Sequence, residues 1–511
     1  MGHFKVIWNK LGKWFSIPWY PLVISIYPVL ALLAANTGQA KFEAGWRPLL
    51  VCVAFAAILL VLLRLIFRDW KRAAFLTTLW IVLFFSYGHV YILLTEKFSH
   101  FDFTHWLPIA WLLLVVAAAV WARWKAPFPA ALNVIALGLV ITSLSQMDLG
   151  SGSQSGHVKR AAAQHAPLQN LTPSQNPPDV YYFILDMYTR QDLLKSAYGY
   201  DNSGFVNDLE KRGFYVAQCS QSNYTRTEIS VASSLNLSYL QDLDSKFTNP
   251  ESTARAHLWD TLKHSTVRYQ LESLGYKTIS FANGFPWSEL DDANLFMTPP
   301  PFSSGMTEFE TLFMQTTLAR TLQDFGWIDL DQISGQNFRD RDMLVFNSMK
   351  NVARMQGPKF VYIHLILPHP PFVFGPDGKY TDPSDFWNAK KLYPASKFQL
   401  GYTNQLTFLN GKLLETIDTI LSESKTPPII ILQGDHGPWL QPNPQHFFIL
   451  NAYYLPGHEK ELYPTISPVN SFRLVFNDYF SGKYDMLKDI TYFSPVPKLY
   501  KFSEVPYPCS N

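Results

Sequence analysis

The run Val180-Tyr-Tyr-Phe-Ile-Leu-Asp-Met187 sets six apolar residues in a row and then a carboxylate. A strand covered on both faces has no wet side to show. An unbroken apolar run of this length therefore reads as a buried parallel strand, with the carboxylate at its carboxyl end. The same texture returns in Lys277-Thr-Ile-Ser-Phe-Ala282, Lys359-Phe-Val-Tyr-Ile-His-Leu365, Pro428-Ile-Ile-Ile-Leu432 and Phe448-Ile-Leu-Asn-Ala-Tyr-Tyr454. Helix-like segments such as 259–274 and 402–422 lie between them. Strands alternating with helices predict an α/β sandwich around a mostly parallel central sheet, and 179–511 is long enough for one large core.

Upstream the texture changes twice. Residues 149–178 are rich in Gly, Ser, Gln and Pro with little apolar periodicity, which predicts a linker. Residues 1–148 hold five stretches nearly free of charge, at 17–36, 48–67, 73–95, 106–122 and 127–147. Each is close to the ~20 residues a helix needs to cross a bilayer. Val51 to Leu63 and Leu112 to Trp121 are apolar on every face, unlike a core helix with one apolar stripe. The expected organisation is a five-helix transmembrane domain (1–148), a linker (149–178) and an extracytoplasmic catalytic domain (179–511).

Orientation follows from the short connections. Lys5, Lys10, Lys13, Arg64, Arg68, Lys71, Arg72, Arg123 and Lys125 gather on one side, against Lys41, Arg47 and Lys97 on the other. Nine against three places the N-terminus in the cytoplasm and everything after Asp148 outside a bacterial inner membrane. Trp46, Trp70 and Trp106 stand at span ends, where amphipathic rings prefer to lie. His89 falls inside the third span, where an ionisable group is either functional or bonded to a neighbouring helix.

Composition supports this division. Of 511 residues 48% are hydrophobic, 15% aromatic and 16% charged, against roughly 25% charged in ordinary soluble domains. That excludes a disordered chain. A net charge of +2 without a basic stripe argues against a nucleic-acid partner. Residues 1–150 hold 12 Lys+Arg and 5 Asp+Glu, net +7, and the remainder holds 30 and 35, net −5. Cys219 and Cys509 both fall in the exported half, where a disulfide and two free thiols are both open.

Ligands in open α/β sheets gather at the carboxyl ends of strands. There the sequence sets Asp186, then His364 and His369 in His-Leu-Ile-Leu-Pro-His, and Asp435-His436-Gly437. Singly each has a bland reading: Asp186 would equally cap a helix, and His364 would equally be a satisfied buried imidazole. Together they place two carboxylates and up to three imidazoles on one rim, a donor set suited to a divalent cation. Asn223-Tyr-Thr-Arg-Thr-Glu-Ile-Ser-Val-Ala-Ser-Ser-Leu-Asn236 is dense in hydroxyls and opens a helix. A hydroxyl there is either an N-cap or a nucleophile beside free backbone N–H groups.

These residues resemble the alkaline phosphatase/sulfatase superfamily over most of 178–480. Five membrane helices before such a domain look like the lipoteichoic acid synthases and lipid A phosphoethanolamine transferases. The resemblance implies a metal held by Asp186, Thr227, Asp435 and His436, with Asp186 where relatives often carry Glu. It implies Thr227 as nucleophile, since Ser230 follows three residues on, whereas Thr225 would place Glu228 there. It further implies His369 as the group that meets a phosphoryl oxygen or leaving group, with His364, His446 and Arg226 binding substrate. Sulfatases need a convertible Cys or Ser followed by Pro and Arg, whereas in Thr227-Glu-Ile-Ser-Val the corresponding residue is an unconvertible Thr and both Pro and Arg are missing.

The implied cofactor is one divalent ion, zinc or manganese, with a second ion left open. The implied reaction moves a phosphoryl-linked head group, phosphoethanolamine or phosphoglycerol, from a membrane phospholipid to an envelope lipid or glycan through a phospho-threonine. A tethered phosphodiesterase or phosphatase using water is the alternative, and a non-catalytic envelope assembly protein is a second.

Overall fold

The computed structural model describes residues 17–36, 40–98, 101–121, 129–147, 168–172, 175–300, 306–386, 392–440, 444–496 and 498–507. Most of the 149–178 linker, five of the nine basic residues that set the expected orientation (Lys5, Lys10, Lys13, Arg123, Lys125) and Cys509 lie outside them. Contacts divide the chain into two units: 1–151 with 306–334, and 152–305 with 335–511.

In the first unit, helices at Phe42–Phe67, Trp70–Thr95 and Pro129–Gln146 are long and apolar enough to cross a membrane. Tyr20–Ala35 and Trp106–Trp121 are apolar but shorter. The inner surface is a core of Tyr20, Val29, Leu33, Cys52, Ala56, Phe85 and Ala136. Asn133 ties it together, accepting from Tyr20 N (2.9 Å) and donating to Ile17 O (2.8 Å). The outer surface is just as apolar: Leu65 and Ile66 are each 69% exposed, and Val51 is 67%. A surface of this kind needs an apolar solvent. Trp46, Trp70 and Trp106 each open a helix and stand exposed. His89 is exposed on its helix.

Residues 306–334, which the sequence reading places with 179–511, pack with the apolar helices. A Thr307/Glu310 capping box starts the helix Glu308–Gln315, and Phe309 and Phe313 join the core just described.

The second unit is built on a seven-stranded sheet ordered β2-β7-β6-β1-β5-β3-β4. Its strands are β1 (Val180–Leu185), β2 (Tyr215–Val216), β3 (Lys277–Phe281), β4 (Leu295–Met297), β5 (Lys359–Leu365), β6 (Ile429–Gly434) and β7 (Asn451–Tyr454). Pairing is parallel from β6 through β4, while β7 runs antiparallel to β6 and β2 antiparallel to β7. A small hairpin of β8 (Thr491–Phe493) and β9 (Ser503–Val505) stands apart.

Side-chain alternation assigns the two faces. Tyr182, Ile184, Tyr362 and Ile431 pack beneath the Thr227–Leu235 and Pro468–Phe480 helices. Tyr181, Phe183, Val361, Ile363 and Leu432 pack under the Leu330–Arg354 and Ala395–Glu423 helices. Because both faces are apolar, hydrophobic pattern alone leaves the strand register weakly specified. Buried polar ties supply it. Tyr182 donates to Gln433 Oε1 (2.6 Å), and Gln433 Nε2 donates to Asn451 (3.0 Å) and Ser471 (2.9 Å).

Candidate metal centre

The register sets Leu185 of β1 beside Gly434 of β6 on one flank and Leu365 of β5 on the other. Three adjacent strands therefore end together. Continuing the alternation past those ends puts Asp186 and Asp435 on the face of Tyr182, with His364 one pleat behind, under the N-terminus of the Thr227–Leu235 helix. Asp186, Asp435 and His436 each offer a donor atom within 4.8 Å of the others, and all three are buried.

Two glycines let the β6 turn form. A Cβ on Gly434 would lie 2.3 Å from Tyr188 O, and one on Gly437 would lie 2.8 Å from His446 O. Met187, the residue after Asp186, sits in the left-handed region with φ 66°, a conformation that costs a side chain of this size about 1 kcal/mol or more. In return its N–H reaches Asp435 Oδ1 (3.0 Å), which also accepts from His436 N (2.9 Å). One oxygen of Asp435 is thus satisfied by backbone, while Oδ2 has no hydrogen-bond partner among the described residues; the same holds for Asp186 Oδ1.

His436 Nδ1 donates to Gly437 O (2.8 Å), which leaves the Nε2 lone pair facing the cluster. From Nε2 the distances are 3.3 Å to Thr227 Oγ1, 3.5 Å to Asp435 Oδ2 and 3.8 Å to Asp186 Oδ1. Donors held tetrahedrally at about 2.0–2.2 Å from zinc stand about 3.3–3.6 Å apart. Two orphaned buried carboxylate oxygens, a preset imidazole nitrogen and a hydroxyl at that spacing fit a divalent cation.

Electrostatics point the same way. Burial and the neighbouring Asp186 push the Asp435 carboxyl up. For Asp186 burial works against ionisation, but His369, His364 and His436 outweigh it and hold its carboxyl at about 2. Burial alone would lower the His436 imidazole, yet Asp435 and Asp186 raise it. Two carboxylates and an imidazole are therefore competing for positive charge at one point.

The remaining residues named from sequence separate into different roles. Thr227 is the first residue of its helix and faces His436, whereas the Thr225 hydroxyl meets Ser494 Oγ (3.2 Å). His364 lies behind Asp186, its Nε2 3.7 Å from Oδ2. Asn283 Oδ1 accepts from Phe285 N (2.8 Å), so its amide NH₂ faces His364 Nδ1 (3.0 Å). That fixes the neutral tautomer with Nε2–H aimed at Asp186. His369 stands four residues past the end of β5, half-buried against Trp439 with ring centroids 5.1 Å apart. Its Nδ1 meets Pro370 O and its backbone N donates to Asp186 O (3.2 Å), while Nε2 has no hydrogen-bond partner among the described residues.

His446 stacks on His436 (5.5 Å), and its Nε2 meets Thr225 O at 3.0 Å. Burial, then His436, push its imidazole down to about 4. Its Nδ1 lies 3.3 Å from Pro438 O, so the ring bridges the Thr225 and Pro438 carbonyls and straps the Thr225–Thr227 turn. Arg226 is the N-cap residue; burial lowers its guanidinium, and Nη2 is buried without a hydrogen-bond partner among the described residues. Asn283, Ser288 and Gln433 carry no motif and were not foreseen. Cys219 is disulfide-bonded and Cys52 is free.

No protein-family model and no curated protein matches the chain. Among solved structures it is similar to the integral membrane protein lipooligosaccharide phosphoethanolamine transferase A from Neisseria meningitidis. Identity is 12%, with 89% of this chain and 94% of that one covered, at TM-score 0.39. It is similar to the C-terminal periplasmic domain of EcEptC from Escherichia coli in complex with Zn, at 14% identity over 68% and 97%, TM-score 0.42. A third is a protein in the alkaline phosphatase superfamily from Vibrio parahaemolyticus, at 10% identity over 66% and 80%, TM-score 0.37. The solved structures this chain resembles are thus phosphoethanolamine transferases and other alkaline phosphatase superfamily members, and its own function is read from the site.

Proposed function

We propose that the chain is a membrane-tethered, metal-dependent phosphotransferase that carries a phospholipid head group on Thr227 and delivers it to an envelope lipid or glycan outside the cytoplasmic membrane. The observation that carries this is the helix-opening hydroxyl of Thr227, 3.3 Å from His436 Nε2 and beside two orphaned carboxylate oxygens. Asp186, Thr227, Asp435 and His436 would hold the divalent ion, zinc or manganese, which would neutralise phosphoryl charge and ease loss of the hydroxyl proton.

The chain's own groups supply the rest. First-turn N–H groups of the Thr227–Leu235 helix and the Arg226 guanidinium receive the phosphoryl oxygens. Thr227 Oγ1, its proton given up to solvent beforehand, bonds to phosphorus as the bond to the diacylglycerol oxygen breaks, and His369 Nε2 protonates that leaving oxygen. An acceptor hydroxyl then gives its proton back to His369 as it attacks phosphorus, and the bond to Thr227 breaks to return the Thr227 alkoxide. His364 keeps Asp186 oriented, and His446 keeps the Thr225–Thr227 turn in place.

The test is Thr227→Ala in proteoliposomes with total lipid extract. Head-group transfer and the mass added to the intact protein should both vanish even at saturating metal, with melting of the metal-free protein little changed. Transfer by this variant at the native rate would overturn the assignment. Release of free head group by the native chain without acceptor would move the reading to a hydrolase.

A further inference from the structure

Residues 306–334 interrupt the second unit to pack with the apolar helices, and that packing enters the backbone itself. Gly88 N donates to Thr316 O (3.1 Å), and Leu318 N donates to Phe84 O (2.7 Å). The Phe84 carbonyl and the Gly88 N–H, one turn apart in the Trp70–Lys97 helix, thus both reach the segment. Phe313 packs on Phe85 with ring centroids 5.5 Å apart. Glu310 pairs with Arg47 (3.2 Å), Arg320 with Asp324 (3.2 Å), and Gln323 donates to Asp331 (3.0 Å). Arg320 also lies over the Tyr91 ring at 4.1 Å.

Beyond this anchored part the segment turns outward. Gly326, with φ 72°, ends the Arg320–Asp324 helix, and Trp327 N returns to Leu322 O (2.8 Å). The turn projects two aromatic rings. Trp327 is 75% exposed, and Phe325, 41% exposed, stacks on His105 at 5.7 Å. His105 precedes Trp106, itself 64% exposed at the start of an apolar helix whose outer face is exposed Ile109, Leu112 and Leu113. The Phe325–Trp327 tip is therefore continuous with the surface that faces lipid. The side agrees as well: the 97–106 connection is on the sparsely basic, exported side, where residues after 148 also belong.

We infer that the Phe325–Trp327 tip inserts into the headgroup region of the outer leaflet. Rings with an apolar body suit that depth, and the paired charges behind the tip suit the headgroup layer. This does not depend on the reaction proposed above.

The test places a nitroxide on Trp327→Cys in the full chain in proteoliposomes, with the unsubstituted chain as labelling blank. Trp327, 75% exposed, has its ring contact with Phe325 (centroids 6.1 Å) to lose, and Phe325→Cys supplies a second reporter. The ratio of oxygen to nickel-chelate collision should exceed that of Lys211→Cys severalfold; the Lys211 side chain is 74% exposed in the second unit. A ratio equal to that of Lys211→Cys at both positions would overturn the inference, as would spin–spin broadening that disappears on dilution with unlabelled chain, which would mean a second copy covers the tip.

Discussion

At the scale of single residues, the centre is a place where charge has been concentrated and left uncompensated by the protein. Asp435 shows this most directly, since Oδ1 is satisfied by two N–H groups while Oδ2 is not. Asp435→Asn keeps the first oxygen and replaces the second with an NH₂. In the native chain, chelator should lower the melting temperature, and zinc or manganese should restore it. The variant stripped of metal should melt at or above the stripped native chain, because one buried carboxylate no longer opposes another, yet gain nothing on adding metal. Melting curves with elemental analysis check both halves; a variant that still takes up metal and gains stability would mean another group holds it.

His446 gives a pH prediction. Its imidazole is pushed from 6.5 to about 4, so between those values the unfolded chain binds the proton more readily than the folded one. The stability linked to this residue is present above pH 6.5 and is lost as pH falls toward 4. At one pKa unit per 1.36 kcal/mol the full effect is about 3 kcal/mol. His446→Asn should be less stable than the native chain at pH 7, and the gap should narrow at pH 4.5. A gap that stays constant across that range would show that His446 titrates normally.

At the scale of elements, three parallel strands ending side by side create the site, and the turn after β6 finishes it. Gly437→Ala puts a Cβ 2.8 Å from His446 O and 2.9 Å from Phe448 O, both backbone atoms with little room to yield. The expected outcome is a folded protein whose Asp435-His436 turn is displaced, with metal affinity down tenfold or more, measured by competition with a chelating dye. Unchanged affinity would mean the turn has slack that its contacts do not show. The elements that build this site were legible because each carries an apolar run closed by a polar residue: β1 and β5 match their expected spans, and β6, expected over 428–432, starts one residue later and ends two later. β2 and β4, of two and three residues, have no run to show and are made by pairing with β7 and β3. The roles of His364 and His446 were illegible for another reason. Their partners, Asn283 and the Thr225 carbonyl, are distant in sequence or belong to backbone, so nothing local marks them.

At the scale of the whole molecule, apolar helices and an α/β body were both readable from composition, but the attachment of 306–334 to the helices was not. Its Phe309 and Phe313 stripe is diluted by Glu308, Glu310, Thr311, Gln315, Thr316 and Thr317, and such a segment looks like any amphipathic helix of a soluble domain. Gly88 tests the attachment because two physical expectations there have opposite sign. In an ordinary helix Gly88→Ala should stabilise by about 1 kcal/mol through helix propensity. Here an added Cβ would lie 2.3 Å from Gln315 O and 2.4 Å from the Thr316 carbonyl carbon. Accommodating it expels the segment, with loss of two backbone hydrogen bonds at roughly 0.5–1.5 kcal/mol each and of Phe309 and Phe313 packing at roughly 1.5–3 kcal/mol each. The second effect is several times the first, so Gly88→Ala should lower the melting temperature and make the 318–328 turn a preferred site of limited proteolysis in detergent. A variant that melts higher than the native chain and stays protected there would show that the segment is not stitched into the Trp70–Lys97 helix.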